Sequence, residues 1–184
     1  SRALAQKGVE VHVVTCDFPG APEYEEIDGA KVYRFDSYKV GAYDFLSWVF
    51  SMNRNMAQRA IEVIDASNGR VDVIHAHDWL VAKAAIELKN LYERPLVSTI
   101  HSIEAGRRGG IHSDYQRTIN EIEKWLVNES SNVICCSNYM ADQISQVLQV
   151  REKVRVIRNG VDVSRFNLDI NYEAVRQRFA KPDE

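Results

Sequence analysis

The stretch VDVIHAHDWLVAKAAIELKNLYERPLVSTI, residues 71–100, decides the fold of this chain. Two runs in it have the length and apolar character of strands, at residues 71–77 and 95–100. The second run is continuously apolar, which is typical of a strand buried on both faces of a sheet. The segment between them favours a helix and stops where Arg94-Pro95 breaks it. This order predicts a βαβ unit with parallel strands and a right-handed crossover.

The same alternation continues to residue 157. Further strands are predicted at residues 132–136 and 153–157, and helices at residues 114–128 and 138–150. Because short connections join these elements, we expect an α/β fold of the doubly wound, Rossmann-like class, with helices on both faces of a mostly parallel sheet.

Polar residues mark where these helices begin. Ser113 and Gln116 have the spacing of a capping box, and Ser137 is placed to cap the helix that follows it. Asp78 is placed to cap a helix over residues 79–91, because its carboxylate can accept from the first free backbone N–H groups. That structural explanation of Asp78 competes with a functional one.

Upstream of residue 71 the pattern predicts two strands and one long helix. Residues 9–15 alternate with a period of two, residues 31–35 form a shorter strand, and residues 43–66 have helical spacing. Residues 18–30 are rich in proline, glycine and acidic side chains, so we expect a surface loop there.

The two ends of the chain also carry signals. Residues 1–8 resemble the last two turns of a helix closed by Gly8, so we expect the chain to begin inside an element. The tail after Asp162 is more polar, and residues 172–179 are its one amphipathic helix candidate.

The composition of the 184 residues is that of a globular domain, with 45% hydrophobic and 27% charged residues. Lys+Arg 23 against Asp+Glu 26 gives a net charge of −3, which disfavours a nucleic-acid binder. No apolar run approaches the roughly 20 residues of a membrane helix. Three cysteines with Cys135 and Cys136 adjacent fit no disulfide or C-x-x-C motif, so we expect a reducing, cytoplasmic setting and buried roles for both.

Candidate functional residues cluster where the predicted strands end. In doubly wound sheets, ligands bind beyond the carboxyl ends of the strands, where helix N-termini offer free N–H groups to phosphate or sugar oxygens. The polar residues at these ends are His75, His77, Asp78, Thr99, His101, Ser102, Ser137 and Asn138.

Two other kinds of site are conceivable there. His75 and His77 face the same side of a strand and with His101 could bind zinc, although a hydrogen-bonded His75 and a ligand contact at His77 fit the sequence better. Ser102, His101 and Asp78 have the residue types of an acyl-transfer triad, but no G-x-S-x-G elbow presents the serine.

The segment EAGRRGG, residues 104–110, is open to two interpretations. Its glycines predict a mobile backbone from which Arg107 and Arg108 could reach a phosphate or a sugar, and a solvated surface turn is the alternative. By contrast, the tryptophans fall at core spacing on helices and are predicted to be packing residues; they are Trp48, Trp79 and Trp125.

Five motifs in a fixed order resemble the N-terminal domain of retaining glycosyltransferases of the two-Rossmann-domain (GT-B) type. Within that group the chain is most similar to glycogen and starch synthase-like and sucrose-synthase-like enzymes, over nearly its whole length. The motifs are HAHDWL (75–80), STIHS (98–102), EAGRRGG (104–110), IEKWLVNESSNVICCSNYM (122–140) and VRVIRNGVD (154–162).

The resemblance implies an activity and its partners. It implies transfer of a glucosyl group with retention from a nucleotide-diphosphate sugar, UDP- or ADP-glucose, to a hydroxyl of a glucan or small sugar acceptor. No metal or other cofactor is required in that chemistry. The reaction takes place in a cleft between two domains, so a C-terminal Rossmann domain is an expected partner.

The resemblance also assigns residues. It places His101 against the donor sugar and Asp78 in the acceptor-side H-D pair, and we take both as catalytic candidates. Its substrate-binding candidates are His77, Ser102, Glu104, Arg107, Arg108, Ser137 and Asn138.

The domain expectation follows from the same resemblance. Residues 1–165 would form a partial N-terminal acceptor domain that lacks its first strand and Gly-rich loop, and residues 166–184 would begin a linker or second domain. Such a fragment would be inactive alone. Arg158 stands where the family usually has proline.

Two alternatives to a transferase stay open. One is a carbohydrate- or nucleotide-sugar-binding module without catalysis. The other is a sugar-nucleotide epimerase of similar fold, against which the HAHDW and IEKWL segments argue.

Overall fold

The computed structural model describes residues 1–37, 42–163 and 171–180. A 3₁₀ turn (Trp79–Val81) precedes the helix Ala82–Tyr92, and a π turn (Ile144–Leu148) follows the helix Asn138–Gln143. In chain order the helices and strands are α1 (Arg2–Ala5), β1 (Val11–Cys16), β2 (Tyr24–Ile27), β3 (Ala30–Phe35), α2 (Phe45–Ala66), β4 (Ile74–His77), α3 (Ala82–Tyr92), β5 (Leu96–Ile100), α4 (Glu104–Arg108), α5 (Asp114–Glu129), β6 (Asn132–Cys135), α6 (Asn138–Gln143), β7 (Val154–Val156) and α7 (Tyr172–Arg176).

A four-stranded parallel sheet in the order β4-β5-β6-β7 forms the larger part of the fold. The predicted α/β class with a parallel sheet is therefore confirmed. The register sets His77 beside Thr99 and Ile100 beside Cys135, so the strands end at one common edge.

The main core lies between this sheet and the helices packed on it. Leu96 of β5, Leu126 of α5 and Val133 of β6 are fully buried, together with Ile144 of the π turn. Burial of each such side chain contributes about 1.5–3 kcal/mol to stability. The prediction that residues 95–100 form a strand covered on both faces is confirmed, since four of the five residues of β5 are buried.

A second sheet has the order β1-β3-β2, with β1 parallel and β2 antiparallel to β3. The loop predicted for residues 18–30 is wrong over β2. Asp28 and Gly29 both have positive φ, 52° and 80°, and connect β2 to β3 as a tight hairpin turn. An Asp-Gly pair between two strands is a strong hairpin signal that was present in the sequence.

Helix α2 packs against both β1 and β3 of the second sheet and also against α3. Its buried Asn53 donates to the Leu80 carbonyl at 2.7 Å and accepts from the Ala84 N–H at 2.9 Å. This side chain, which the sequence did not single out, therefore fixes the 3₁₀ turn that follows β4.

The ends of the chain are partly described. The helical start is observed as α1, and Gly8 has the positive φ of 83° expected of a glycine after a helix. The tail helix is observed as α7, which is shorter than predicted. Residues 164–170 and 181–184 lie outside the described residues, and with them the expected domain boundary. Among the described helices, none combines the length and apolarity needed to cross a bilayer.

Candidate active site

The carboxyl edge of the parallel sheet brings together side chains from three strands. His77 ends β4 and His101 follows β5, and their rings stack with centroids 5.5 Å apart. Nδ1 of His77 lies 3.2 Å from Nε2 of His101, so one of the two nitrogens carries the proton that joins them. The predicted clustering of these strand-end residues is therefore observed.

His75 extends this row of imidazoles. Its ring stacks on that of His77 at 4.5 Å, and its Nε2 is hydrogen-bonded to Oγ1 of Thr99 at 2.7 Å. Burial, and next the neighbouring His77, lowers the pKa of His75 to about 4, so the ring is neutral at pH 7. The pKa of His77 is lowered as well, first because neighbouring protein atoms displace part of its water and then because of His101, although part of the residue remains exposed to solvent.

The histidines contact each other rather than converging on a point. Within residues 1–37, 42–163 and 171–180, no three His, Cys, Asp or Glu side chains are arranged to hold a metal ion. The alternative of a hydrogen-bonded His75 is the one that the geometry matches.

Asp78 does not cap the helix after it, and the cap prediction is wrong. Its backbone has φ 59° and ψ 177°, and its side chain makes no capping bond. The carboxylate accepts instead from the backbone N–H of His101 at 2.8 Å, while the Asp78 N–H donates to the Thr99 carbonyl at 2.9 Å. The positive φ turns the side chain across to the neighbouring strand, so Asp78 fixes the start of the segment that follows β5.

The EAGRRGG segment is not a mobile loop, so that interpretation is wrong. It forms α4, which ends at Gly109 with φ 64°. Arg107 donates to Ser102 Oγ at 2.7 Å and to Glu104 Oε2 at 3.0 Å, and Glu104 is only 6% exposed. The Arg107 guanidinium is therefore occupied by internal contacts, although Arg107 and Arg108 are both exposed to solvent.

Glu123 of α5 is a member of the site that the sequence interpretation missed. It is 1% exposed, and its Oε1 accepts from the Glu104 N–H at 2.8 Å and from Arg107 Nη2 at 3.3 Å. Burial raises its pKa to about 7, against the opposing effect of these two donors. A glutamate four residues after Ile119 and three before Leu126, within the apolar stripe of the helix, was the available signal.

The end of β6 supplies the third part of the edge. Ser137 caps α6 as predicted, accepting from the Met140 N–H at 3.1 Å, and Asn138 beside it is exposed. The prediction of a core role is wrong for Cys136. Its Sγ lies 3.8 Å from Nδ1 of His101 and 3.4 Å from Oδ1 of Asn159. The adjacent Cys135 is fully buried, as predicted.

The tryptophans divide between core and surface. Trp79 is 5% exposed and packs with Val49 and Ile119, as predicted. Trp48 is half-buried and donates to the Ser37 carbonyl. Trp125 is 42% exposed, so the prediction of a packing role is wrong for it.

Residues 1–165 match the sequence pattern of Glycosyltransferase Family 4. The chain belongs to this family. The predicted resemblance to glycosyltransferases is thereby confirmed, and the family assignment favours a transferase over the epimerase alternative.

Several relatives of this family 4 chain are known by sequence. An uncharacterized glycosyltransferase of Methanocaldococcus jannaschii is 33% identical over 174 residues, covering 94% of this chain and 43% of the relative. A glycogen synthase of Mycobacterium tuberculosis is 39% identical over 128 residues, covering 67% of this chain and 31% of the relative. A D-inositol 3-phosphate glycosyltransferase of Pseudarthrobacter chlorophenolicus is 26% identical, covering 98% and 44%. The chain thus spans less than half the length of these relatives.

Solved structures confirm the fold of this family 4 chain. A sucrose-phosphate synthase of Thermosynechococcus elongatus superposes with a TM-score of 0.76 at 18% identity, covering 100% of this chain and 45% of that one. The catalytic domain of starch synthase IV of Arabidopsis thaliana, bound to ADP and acarbose, gives 0.61 at 17% identity, covering 93% and 48%. The chain has the fold of a GT-B glycosyltransferase domain.

Proposed function

We propose that the protein containing this chain transfers a glycosyl group, with retention, from a nucleotide-diphosphate sugar to a hydroxyl acceptor. The family 4 match over residues 1–165 supports the reaction class. In this proposal those residues supply the acceptor side of the site, residues 166–184 begin the connection to a second domain, and that domain binds the nucleotide. Transfer is expected of the two-domain protein rather than of these 184 residues alone.

The observation that carries the proposal is the contact between the end of β4 and the segment after β5. Asp78 fixes the backbone of His101, and the His101 ring meets His77 at the exposed carboxyl edge of the sheet. Transfer with retention requires close positioning and charge stabilisation of the reacting groups more than a protein nucleophile. We therefore give His101 the catalytic role at the donor sugar, and Asp78 the role of positioning it.

The remaining candidates divide by how free their polar groups are. His77, Arg108 and Asn138 are exposed side chains, and we propose that they contact substrate directly. Glu104 and Arg107 hold each other and Ser102, so they set the shape of the acceptor side. Ser137 contributes through the N-terminus of α6, where its hydroxyl is the cap.

The finer assignment is transfer of glucose from ADP- or UDP-glucose to a glucan, without a metal or other cofactor. The glycogen synthase of Mycobacterium tuberculosis, 39% identical, supports it. The D-inositol 3-phosphate glycosyltransferase covers 98% of the chain at 26% identity and supports a second candidate, a phosphorylated polyol acceptor. A cytoplasmic location belongs to the same proposal, since Cys16, Cys135 and Cys136 are free thiols.

A radiolabelled-donor assay tests the function. ADP-glucose and UDP-glucose are each supplied with maltooligosaccharides or with inositol phosphate, and the anomeric configuration of the product is read by proton NMR. We expect transfer with retention, reduced about 100-fold or more in His101→Ala. His12→Ala, in the second sheet, is the matched control and should keep wild-type activity. Absence of transfer with every donor, or an inverted product, overturns the proposal.

A further inference from the structure

A side chain of α5 is hydrogen-bonded to the segment that leads from β5 into α4. We call residues 102–107 the acceptor turn. Ile103 within it is fully buried, and Glu104 donates its backbone N–H to Oε1 of Glu123 at 2.8 Å. The turn is therefore attached to the core at two successive residues, and the polar attachment is a carboxylate on another helix.

The helix that provides Glu123 is a rigid base. Leu126 and Val127, three and four residues further along α5, are fully buried in the main core. Side chains carried by a packed helix hold a site more accurately than side chains carried by a loop. The position of the Glu123 carboxylate is thus fixed by the core and not by the turn that it holds.

Arg107 connects this carboxylate to the polar surface of the turn. Its Nη2 lies 3.3 Å from Glu123 Oε1 and 3.0 Å from Glu104 Oε2, while its Nη1 donates to Ser102 Oγ. One guanidinium therefore joins a buried carboxylate to a hydroxyl that follows His101 directly in the chain.

The charges around Glu123 are unbalanced. Glu104 and Asp78 oppose its ionisation, and the charge of Arg107 favours it. Its second oxygen, Oε2, is buried and has no hydrogen-bond partner among the described residues. Ionising a carboxylate whose second oxygen is buried without a hydrogen-bond partner costs free energy. The ion pair between Glu123 and Arg107 therefore depends on the protonation state of Glu123.

We propose that Glu123 is a positioning residue for the acceptor side of the site: its ionised carboxylate holds Arg107, and through Arg107 the Ser102 hydroxyl, in the geometry that binds the acceptor. The inference rests on the proposed transferase function. Protonation leaves Oε1 as an acceptor for the Glu104 N–H but removes the charge that attracts Arg107, so the acceptor turn loosens as the pH falls below neutral.

Glu123→Gln tests this directly, because the amide keeps the shape and one acceptor oxygen but carries no charge. In the active protein, we expect the KM for the acceptor to rise about 10-fold while the KM for the donor changes less than about 2-fold. We expect the acceptor kcat/KM of the wild type to rise through pH 7 and that of the variant to lack this rise. Glu121→Gln, which removes an exposed partner of Lys124 on the same helix, should match the wild type. An unchanged acceptor KM and pH profile in Glu123→Gln overturns the inference.

A second variant and a second measurement separate this inference from the function itself. Arg107→Gln removes the cation without altering the core and should raise the acceptor KM in the same way. The amide ¹⁵N shift of Glu104, followed by NMR, should titrate near pH 7 in the wild type and not in Glu123→Gln. A titration that is missing from the wild type, or identical in the variant, refutes the hold by Glu123. Intact titration without transfer would support the hold and overturn the proposed function.

Discussion

The carboxylate of Asp78 lies 2.8 Å from the backbone nitrogen of His101 and accepts its hydrogen bond. This contact joins the residue after β4 to the residue after β5, so the two strand ends cannot move independently. Asp78 makes this contact from a backbone of φ 59° and ψ 177°, a conformation that costs a non-glycine residue on the order of 1–3 kcal/mol. The orientation of His101 is therefore set by a neighbouring strand.

Substitution of Asp78 should show how much its acceptor oxygen contributes to the stability of the protein. Asp78→Asn keeps an acceptor oxygen and the shape of the side chain, so we expect its free energy of unfolding to fall by less than about 1 kcal/mol. Asp78→Ala loses the acceptor and leaves the His101 N–H without this partner, and we expect a loss of about 1–3 kcal/mol. Urea denaturation measures both. Equal losses in the two variants would contradict the assigned contact.

The stability of the protein should depend on pH through Glu123. Because its folded pKa is raised to about 7, the unfolded chain releases this proton first, and the wild type loses stability as the pH rises from about 4.5 to 7. Such a shift corresponds to a change on the order of 3 kcal/mol. Glu123→Gln removes it, so the variant should gain stability relative to the wild type across that window. Urea midpoints between pH 4 and 8, with Glu121→Gln as the control, test the sign.

His75 should make the stability of the protein depend on pH with the opposite sign. Its folded pKa is lowered to about 4, so the unfolded chain takes up the proton first and the wild type loses stability as the pH falls from 6.5 toward 4. His75→Gln keeps a group that can bond Thr99 but does not titrate. The difference in unfolding free energy between variant and wild type should therefore move in favour of the variant below pH 6.5. A difference that is constant from pH 8 to pH 4 would show that His75 is not held neutral.

Asn53→Leu should be strongly destabilising although it adds an apolar side chain to a buried position. Asn53 is 2% exposed, and its loss leaves the Leu80 carbonyl and the Ala84 N–H without their partner. Each unsatisfied buried group costs about 1–3 kcal/mol, so we expect a total loss of about 2–6 kcal/mol. Gln58→Leu on the exposed face of α2 is the control for urea denaturation. A variant as stable as that control would rule out the bridging role of Asn53.

Much of the fold could be predicted because its signals are local. The alternation of apolar runs with helical segments gave the parallel sheet, and the capping roles of Ser113 and Ser137 depend only on residues three positions away. The signal for the turn at Asp28 and Gly29 was equally local, but the charged residues before it suggested a loop.

The parts of the site that were missed depend on residues far apart in the chain. Asp78 has the residue type of a helix cap, yet its partner is the backbone of His101, 23 residues later. The glycines around Arg107 suggested mobility, but Glu123 immobilises its guanidinium from the next helix. Residue type and spacing alone do not reveal such contacts, because the first forms only when β4 and β5 pair and the second only when α4 packs on α5.

The thiol of Cys136 lies close enough to His101 for its alkylation to depend on whether a substrate is bound. Its sulfur lies 3.8 Å from Nδ1 of His101, at the edge where we place the reacting sugar. A bound substrate would shield this sulfur from an alkylating reagent, while the fully buried Cys135 beside it would stay unmodified whether or not the site is filled. The rate at which Cys136 is alkylated, followed by mass spectrometry, therefore measures how much of the site is occupied. The measurement needs neither turnover nor an engineered cysteine.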